Sequence, residues 1–342
     1  MKFGPVPLAE AEGAILAHSV ALIKGRLRKG RDLTRADLSA LAEAGVSEVT
    51  VARLEPGDLH EDAAALALAE ALVPDPEAAG LSLRPVGTGR VNIVADGPGL
   101  VQVGAEQIHA ANLVDPAITV ATLPHLHRVE AGTMVATVKI IAYAVPAAAL
   151  EAACSQARSA LRLLPPVLQR AVLIQTRVSP EESGAKGHAV TEARLERLGV
   201  RLAPPCLVAH DMEPLAAALR GAEGDLLLIL TGSATSDIHD TAPGALRRAG
   251  GEVAHFGMPV DPGNLLFLGS LDGRPVVGLP GCAKSPKLNG ADWVMERLIC
   301  GLDVTPADIM SWGVGGLLGE IGSRPRPRRL GEEGVSEKAS RE

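Results

Sequence analysis

From Arg170 onward the apolar positions alternate between two rhythms. The short apolar runs AVLIQT and DLLLILT have the length of buried strands, VRLAPPCLVA gives a strand interrupted by two prolines, and EVAHFGMPV a further strand. Between them lie HAVTEARLERLG, MEPLAAALRGA and TAPGALRRAGG, whose apolar residues recur at helical spacing. LLFLGSLDGRPVVGLPG predicts a hairpin turned at Asp272-Gly273, and SPKLNGADWVMERLICGL a closing helix. Strands alternating with helices predict an α/β domain over 167–302, a three-layer, mostly parallel sheet covered on both faces.

The first half has a different pattern. Residues 1–80 predict a mixed α/β region. In LTRADLSALAEAGVSEVTV, Thr34 suits a helix N-cap, Leu38 and Leu41 form one face, Gly45 suits the C-terminus, and a strand follows over 49–54. HEDAAALALAEALV is a second helix, closed by Pro74 and Pro76. Residues 81–166 are β-rich: VNIVA, LVQVG, AITVATL and MVATVKIIAYAV are separated by Gly, Pro and Asn. A helix is expected over 147–164, ended by Pro165-Pro166, which marks the domain boundary. Residues 303–342 form a C-terminal extension, expected to be disordered from about residue 322, where SRPRPRRLGEEGVSEKASRE is charged and poor in apolar residues.

Composition narrows the function classes. Aromatics are only 2% of the 342 residues, so the core is aliphatic. A net charge of −7 argues against a general nucleic-acid binder. No run of 18 apolar residues predicts a membrane helix, and the N-terminus lacks a basic segment and a cleavage site. Cys154, Cys206, Cys282 and Cys300 form no C-x-x-C pair, which fits reduced thiols in a cytoplasmic protein.

In an open α/β sheet ligands bind where strands end and helices begin. TGSATSDIHD, 231–240, combines a glycine, small hydroxyl residues and exposed amides ahead of a helix, which favours a phosphate. Asp237 and Asp240 add carboxylates suited to Mg²⁺ beside phosphate oxygens; alternatively Asp240 caps the next helix. GLPGCAKS, 278–285, places Gly278, Gly281, Lys284 and Ser285 ahead of a helix, or serves tight packing alone. MPVDPGN contains a turn at Asp261-Pro262-Gly263. Thr176 and Arg177 end the first strand of the domain and are placed to touch a ligand, whereas SPEESGAKG after them has the composition of a surface loop. His125 and His127 fit surface residues better than metal ligands, and Cys282 a small buried packing residue better than a reactive thiol. GxxxxGK[ST], GxGxxG and GxSxG are all absent.

The order strand, TGSATSDIHD, helix, EVAHFGMPVDPGN, LLFLGSLDGRPVVGLPG, helix resembles the molybdopterin-binding domain shared by molybdopterin adenylyltransferases and molybdopterin molybdenumtransferases. GLPGCAKSPKLNG is most similar to a bacterial subgroup fused to a molybdenum cofactor cytidylyltransferase-like domain. KGRDLTRADLSALAEAGVSEVTV resembles, more distantly, a molybdenumtransferase segment. The resemblance implies molybdopterin or Mo-molybdopterin as cofactor, with Mg²⁺, and nucleotide and molybdate as further ligands. It implies that Gly232, Ser233, Thr235 and Ser236 hold the pterin or its phosphate. Gly278, Pro280, Gly281 and Ser285 would form the opposite wall, with Pro262 and Gly263 at the matching turn. Asp240 would be the catalytic and metal-binding acid. A homo-oligomer, and a separate cytidylyltransferase or molybdoenzyme as partner, are implied likewise. Four places depart from the family pattern: Ser233 for a glycine, Asp237 for a glycine, Cys282-Ala283 for Asn-Pro, and Gln175-Thr176-Arg177 for an acidic turn.

Three functions follow. One is an enzyme that inserts molybdate or transfers a nucleotidyl group onto the pterin. Another is a non-catalytic carrier that hands the cofactor on. The third is an unrelated α/β phosphosugar or nucleotide binder. Pterin binding separates the first two from the third, and turnover separates the first from the second.

Overall fold

A computed structural model describes residues 1–318. The expected disorder from about residue 322 lies outside the described residues. Helices and strands are both abundant, as in an α/β chain, and two compact units meet in sequence at Pro165 and Pro166.

In the first unit, Glu48–Arg53 pairs antiparallel with both Lys2–Pro7 and Ile15–Leu16. Helix Arg35–Glu43 begins at Thr34, whose hydroxyl accepts the Asp37 N–H while the Asp37 carboxylate accepts the Thr34 N–H. Leu16, Leu33, Leu41, Val49 and Val51 fill the core beneath it. Helix Glu61–Leu72 buries Ala64, Leu68 and Leu72 in the same core as Leu81, Ile93, Val138 and Ile140. The last four lie on an antiparallel sheet of Ile118–Thr122, Met134–Ile140, Arg90–Ala95 and Leu81–Gly87. Pro76 opens a short helix, Pro76–Ala79, because the first-turn N–H it lacks would have had no helical partner.

Two expectations here need correcting. Helix Ala105–Asn112 stands among the predicted strands. The helix expected over 147–164 stops at Ala157. Ser159 takes a φ of 56°, and Leu161–Leu164 becomes a strand against Gly99–Val103. Its Leu161 and Leu163 point inward at the strand period. Over four residues, Leu-Arg-Leu-Leu fits helix and strand alike, and the pairing partner decides.

In the second unit, the strand order is Arg201–Leu202, Arg170–Arg177, Leu226–Leu230, Arg274–Leu279, Phe267–Leu271, Glu252–Phe256; Cys206–Ala209 also pairs with Arg170–Arg177. Arg170–Arg177, Leu226–Leu230 and Arg274–Leu279 run parallel, and Phe267–Leu271 runs against them. All five residues of Leu226–Leu230 are buried, as an unbroken LLLIL run requires. Val172, Ile174, Leu227, Ile229 and Val276 pack with Leu215 and Leu219 of helix Met212–Arg220 and with Ala245 and Leu246 of helix Thr241–Arg248. The hairpin turns at Asp272 and Gly273, both at positive φ, 52° and 75°. The closing helix is Gly290–Ile299, five residues shorter at its start than expected. Asn289 and Asp292 form its capping box, which fixes the start there. Among the described residues no helix is long and apolar enough to cross a membrane.

Candidate functional site

The parallel strands Arg170–Arg177 and Leu226–Leu230 end side by side, with Gln175 opposite Leu230. Thr176, at this edge, joins two segments. Its hydroxyl oxygen accepts the Gly232 N–H at 3.0 Å and lies 2.8 Å from His210 Nδ1. The one hydroxyl thus links the Gly232 amide to the His210 ring. A side chain on Gly232 would place its Cβ 2.8 Å from the Thr176 carbonyl, so the close approach depends on glycine.

The acidic loop beyond Gly232 is organised by its own carboxylates. Asp240 caps helix Thr241–Arg248: one oxygen accepts the Thr241 N–H at 2.6 Å, the other the Ser236 N–H at 2.9 Å. The Ser236 amide, helped by the Thr241 amide and by His210, holds its carboxyl below the usual carboxylate range against the opposing effect of burial. Asp237 accepts the His239 N–H at 2.8 Å. Ser233 and Ser236 are exposed, whereas Thr235 is buried near the Thr231 hydroxyl. Among the described residues no three His, Cys, Asp or Glu side chains group to hold a metal ion. Each Asp240 oxygen accepts one backbone amide and keeps a second lone pair.

The third segment is held from outside itself. Gly278 is buried, and a Cβ there would collide with the Phe267 ring, so this glycine serves packing. Pro280 is buried, and Gly281 is exposed at the start of the turn Gly281–Lys284. Arg194, on helix Ala185–Glu196, donates to Asp292 Oδ1 at 2.6 Å and to the carbonyls of Ala283, Ser285 and Lys287 at 2.7, 2.6 and 3.0 Å. Asp292 is buried, and that burial pushes its carboxyl up although Arg194 opposes the shift. Cys282 is exposed, not buried as expected, with its sulfur 3.0 Å from Asn289 Nδ2. The Pro262-Gly263 turn packs under the closing helix, where the Pro262 carbonyl accepts the Gly290 N–H at 2.8 Å.

At the strand edge there is a cleft of about 220 Å³. Of the expected site residues Thr176 lines it; Gly232, Ser233, Thr235, Ser236, Asp237, Asp240, Gly278, Pro280, Gly281 and Ser285 do not. Lys284, expected at a helix start, lines it from the short turn instead. Its other walls come from Gln175, Leu207, Leu230 and the 182–187 segment, which composition alone presents as a surface loop. The signal in that segment is the pair of glycines around Lys186. Gly184 has a φ of 68°, and side chains at Gly184 or Gly187 would strike the Gln175 carboxamide.

Residues 5–53 match the family described as "Domain of unknown function (DUF8806)". No curated protein matches the chain. Among solved structures, the molybdopterin biosynthesis MoeA protein of Pyrococcus horikosii is 16% identical, over 87% of this chain and 75% of that one, with a TM-score of 0.30. The CinA protein of Thermoplasma acidophilum, described as of unknown function, is 16% identical over 34% of this chain and 90% of that one, with a TM-score of 0.28. Scores this low do not define a shared fold.

Proposed function

We propose that the second unit is a three-layer α/β domain of the molybdopterin-binding type and that it holds a phosphorylated pterin at this strand edge. The observation that carries the proposal is the cleft itself, at the ends of the adjacent parallel strands Arg170–Arg177 and Leu226–Leu230, lined by Lys186 of helix Ala185–Glu196 and Lys284 of the turn Gly281–Lys284. Helix Thr241–Arg248 packs with Val172, Ile174 and Ile229. Helix Ala185–Glu196 stands outside that cluster and is tied by Arg194 to helix Gly290–Ile299. Neighbouring strands thus send their helices to opposite faces, the arrangement that opens a ligand crevice in a parallel sheet. The order of TGSATSDIHD, DPGN and GLPGCAKS along the chain supports the choice of a pterin over other phosphate esters. Small-molecule pockets usually span about 300–1,000 Å³. A cleft of about 220 Å³ therefore encloses part of such a ligand and leaves the rest on its open rim.

Of the two molybdenum-cofactor readings, the carrier is the better supported. Molybdate insertion or nucleotidyl transfer would call for carboxylates holding Mg²⁺ at the bound phosphate, whereas Asp240 does not line the cleft and its one acid, Glu182, accepts the Val178 N–H. In the carrier reading the chain's own groups bind and orient. The lysines neutralise phosphate charge, the 231–240 loop borders the edge, and the bound cofactor passes to a cytidylyltransferase or molybdoenzyme. Four free thiols suit a cytoplasmic setting for such a carrier. The test is to load the full chain with molybdopterin and supply molybdate, Mg²⁺ and CTP or ATP. The carrier reading expects pterin recovered unchanged; sustained product formation lost in Asp240→Asn would establish the enzyme instead.

A further inference from the structure

We infer that the cleft reads a lactam edge, an adjacent C=O and N–H on a heterocycle, next to a phosphate, and that Gln175 is the residue that selects that edge. The inference deepens the proposed function and rests on its placing of the ligand at this strand edge.

Gln175 is 3% exposed and lines the cleft. Among the described residues nothing hydrogen-bonds its carboxamide. Among the described residues the buried side-chain atoms without a partner are His188 Nδ1 and His255 Nε2, so the unpaired Gln175 carboxamide reaches the cleft and is open to a ligand. The surroundings are shaped for this group. A Cβ at Gly184 would lie 2.8 Å from Gln175 Nε2, and one at Gly187 would collide with Oε1. Gly184 at the N-cap and Gly187 in the first turn of helix Ala185–Glu196 thus leave the space the carboxamide occupies. A carboxamide presents an acceptor beside donors, the complement of a lactam's N–H and C=O.

The charge on the other walls selects the second half of the ligand. Lys186 and Lys284 line the cleft. Its one acidic group, Glu182, already accepts the Val178 N–H at 3.0 Å. The first turn of the twelve-residue helix adds amides that favour an anion. An isolated anion would leave Gln175 unused, and an uncharged heterocycle would leave the lysines unused. A phosphate ester of a lactam-bearing ring uses both.

The experiment is calorimetric titration of the full chain with 6-hydroxymethylpterin phosphate, GMP, inorganic phosphate and unphosphorylated 6-hydroxymethylpterin. Wild type is expected to bind one of the two esters at least tenfold more tightly than either phosphate or the free pterin. GMP carries the same edge on a purine, so the tighter ester identifies the source. Gln175→Met is expected to weaken that ester at least tenfold while phosphate stays within twofold, which also certifies the fold. Gln175→Glu, equal in size, is expected to weaken both, and serves if the methionine variant does not fold. Unchanged ester affinity in both variants overturns the inference and leaves the proposed function standing. Wild-type chain that binds no pterin ester, and binds GMP no better than phosphate, overturns both.

Discussion

Replacing Arg194 with methionine keeps the length of the side chain and removes its guanidinium. That one group satisfies the Asp292 carboxylate and three carbonyls on the 283–287 segment. The Ser285 and Lys287 carbonyls belong to residues that reach water and can rehydrate, whereas Asp292 is only 6% exposed. Its stranded charge therefore dominates the loss, and breaking a buried pair from one side costs about 3–5 kcal/mol. The dependence on pH follows from Asp292. Its folded-state pKa lies above the ordinary value because burial outweighs Arg194. Such a carboxyl contributes stability that is full below the unfolded pKa and fades as pH rises through the folded one. Removing Arg194 raises the folded pKa further. Urea unfolding of Arg194→Met should show its full deficit at neutral pH and a shrinking one toward about pH 4, near the ordinary Asp value. Adding Asp292→Asn should recover part of the loss. A deficit under about 1 kcal/mol at neutral pH, far below a broken buried pair, or one that neither acid nor Asp292→Asn relieves, would refute this reasoning.

Asp240→Ala should cost about 1–2 kcal/mol, the range for a lost helix cap, measured by chemical unfolding. Because the native fold holds that carboxyl low, its contribution is present above the ordinary carboxylate pKa and is lost as pH falls through the folded value, so the deficit should vanish in acid. Gly278→Ala drives a methyl group into the Phe267 ring and should lower stability by about 1–3 kcal/mol, with thermal unfolding partly restored by adding Phe267→Leu. Ser159→Gly relieves a φ of 56° and should raise the melting temperature slightly, since αL costs a non-glycine residue about 1 kcal/mol or more; a lower one would show that the hydroxyl matters more than the backbone.

Much of the second unit was legible because each element carries its own signal. LLLIL has the length and burial of a central strand, and Asp272-Gly273 announces a turn whose two residues both take positive φ. Thr34 likewise announced its helix through a local hydrogen-bond pattern. At the closing helix two signals compete: the stretch from Ser285 carries no break in its pattern, whereas the capping box of Asn289 and Asp292 sets the start at Gly290. The cleft was less legible for a different reason. Gln175 lies at the end of a strand, and its meaning comes from Gly184 and Gly187 across a loop of polar residues. Arg194 and Asp292 are 98 positions apart, so no window along the chain joins them. Asp240 was legible as an acid at a helix start, but that position is equally a cap, and the cap is what the hydrogen bonds show.

The proposed phosphorylated pterin sits at the strand edge beside Lys186 and Lys284. The most direct measurement is equilibrium binding of molybdopterin to the full chain, set against the Lys186→Ala/Lys284→Ala double variant. The account predicts one pterin bound per chain and an affinity at least tenfold weaker in the double variant, with thermal stability unchanged. Wild-type chain that leaves molybdopterin free in solution, or a double variant that binds it equally well, would contradict it.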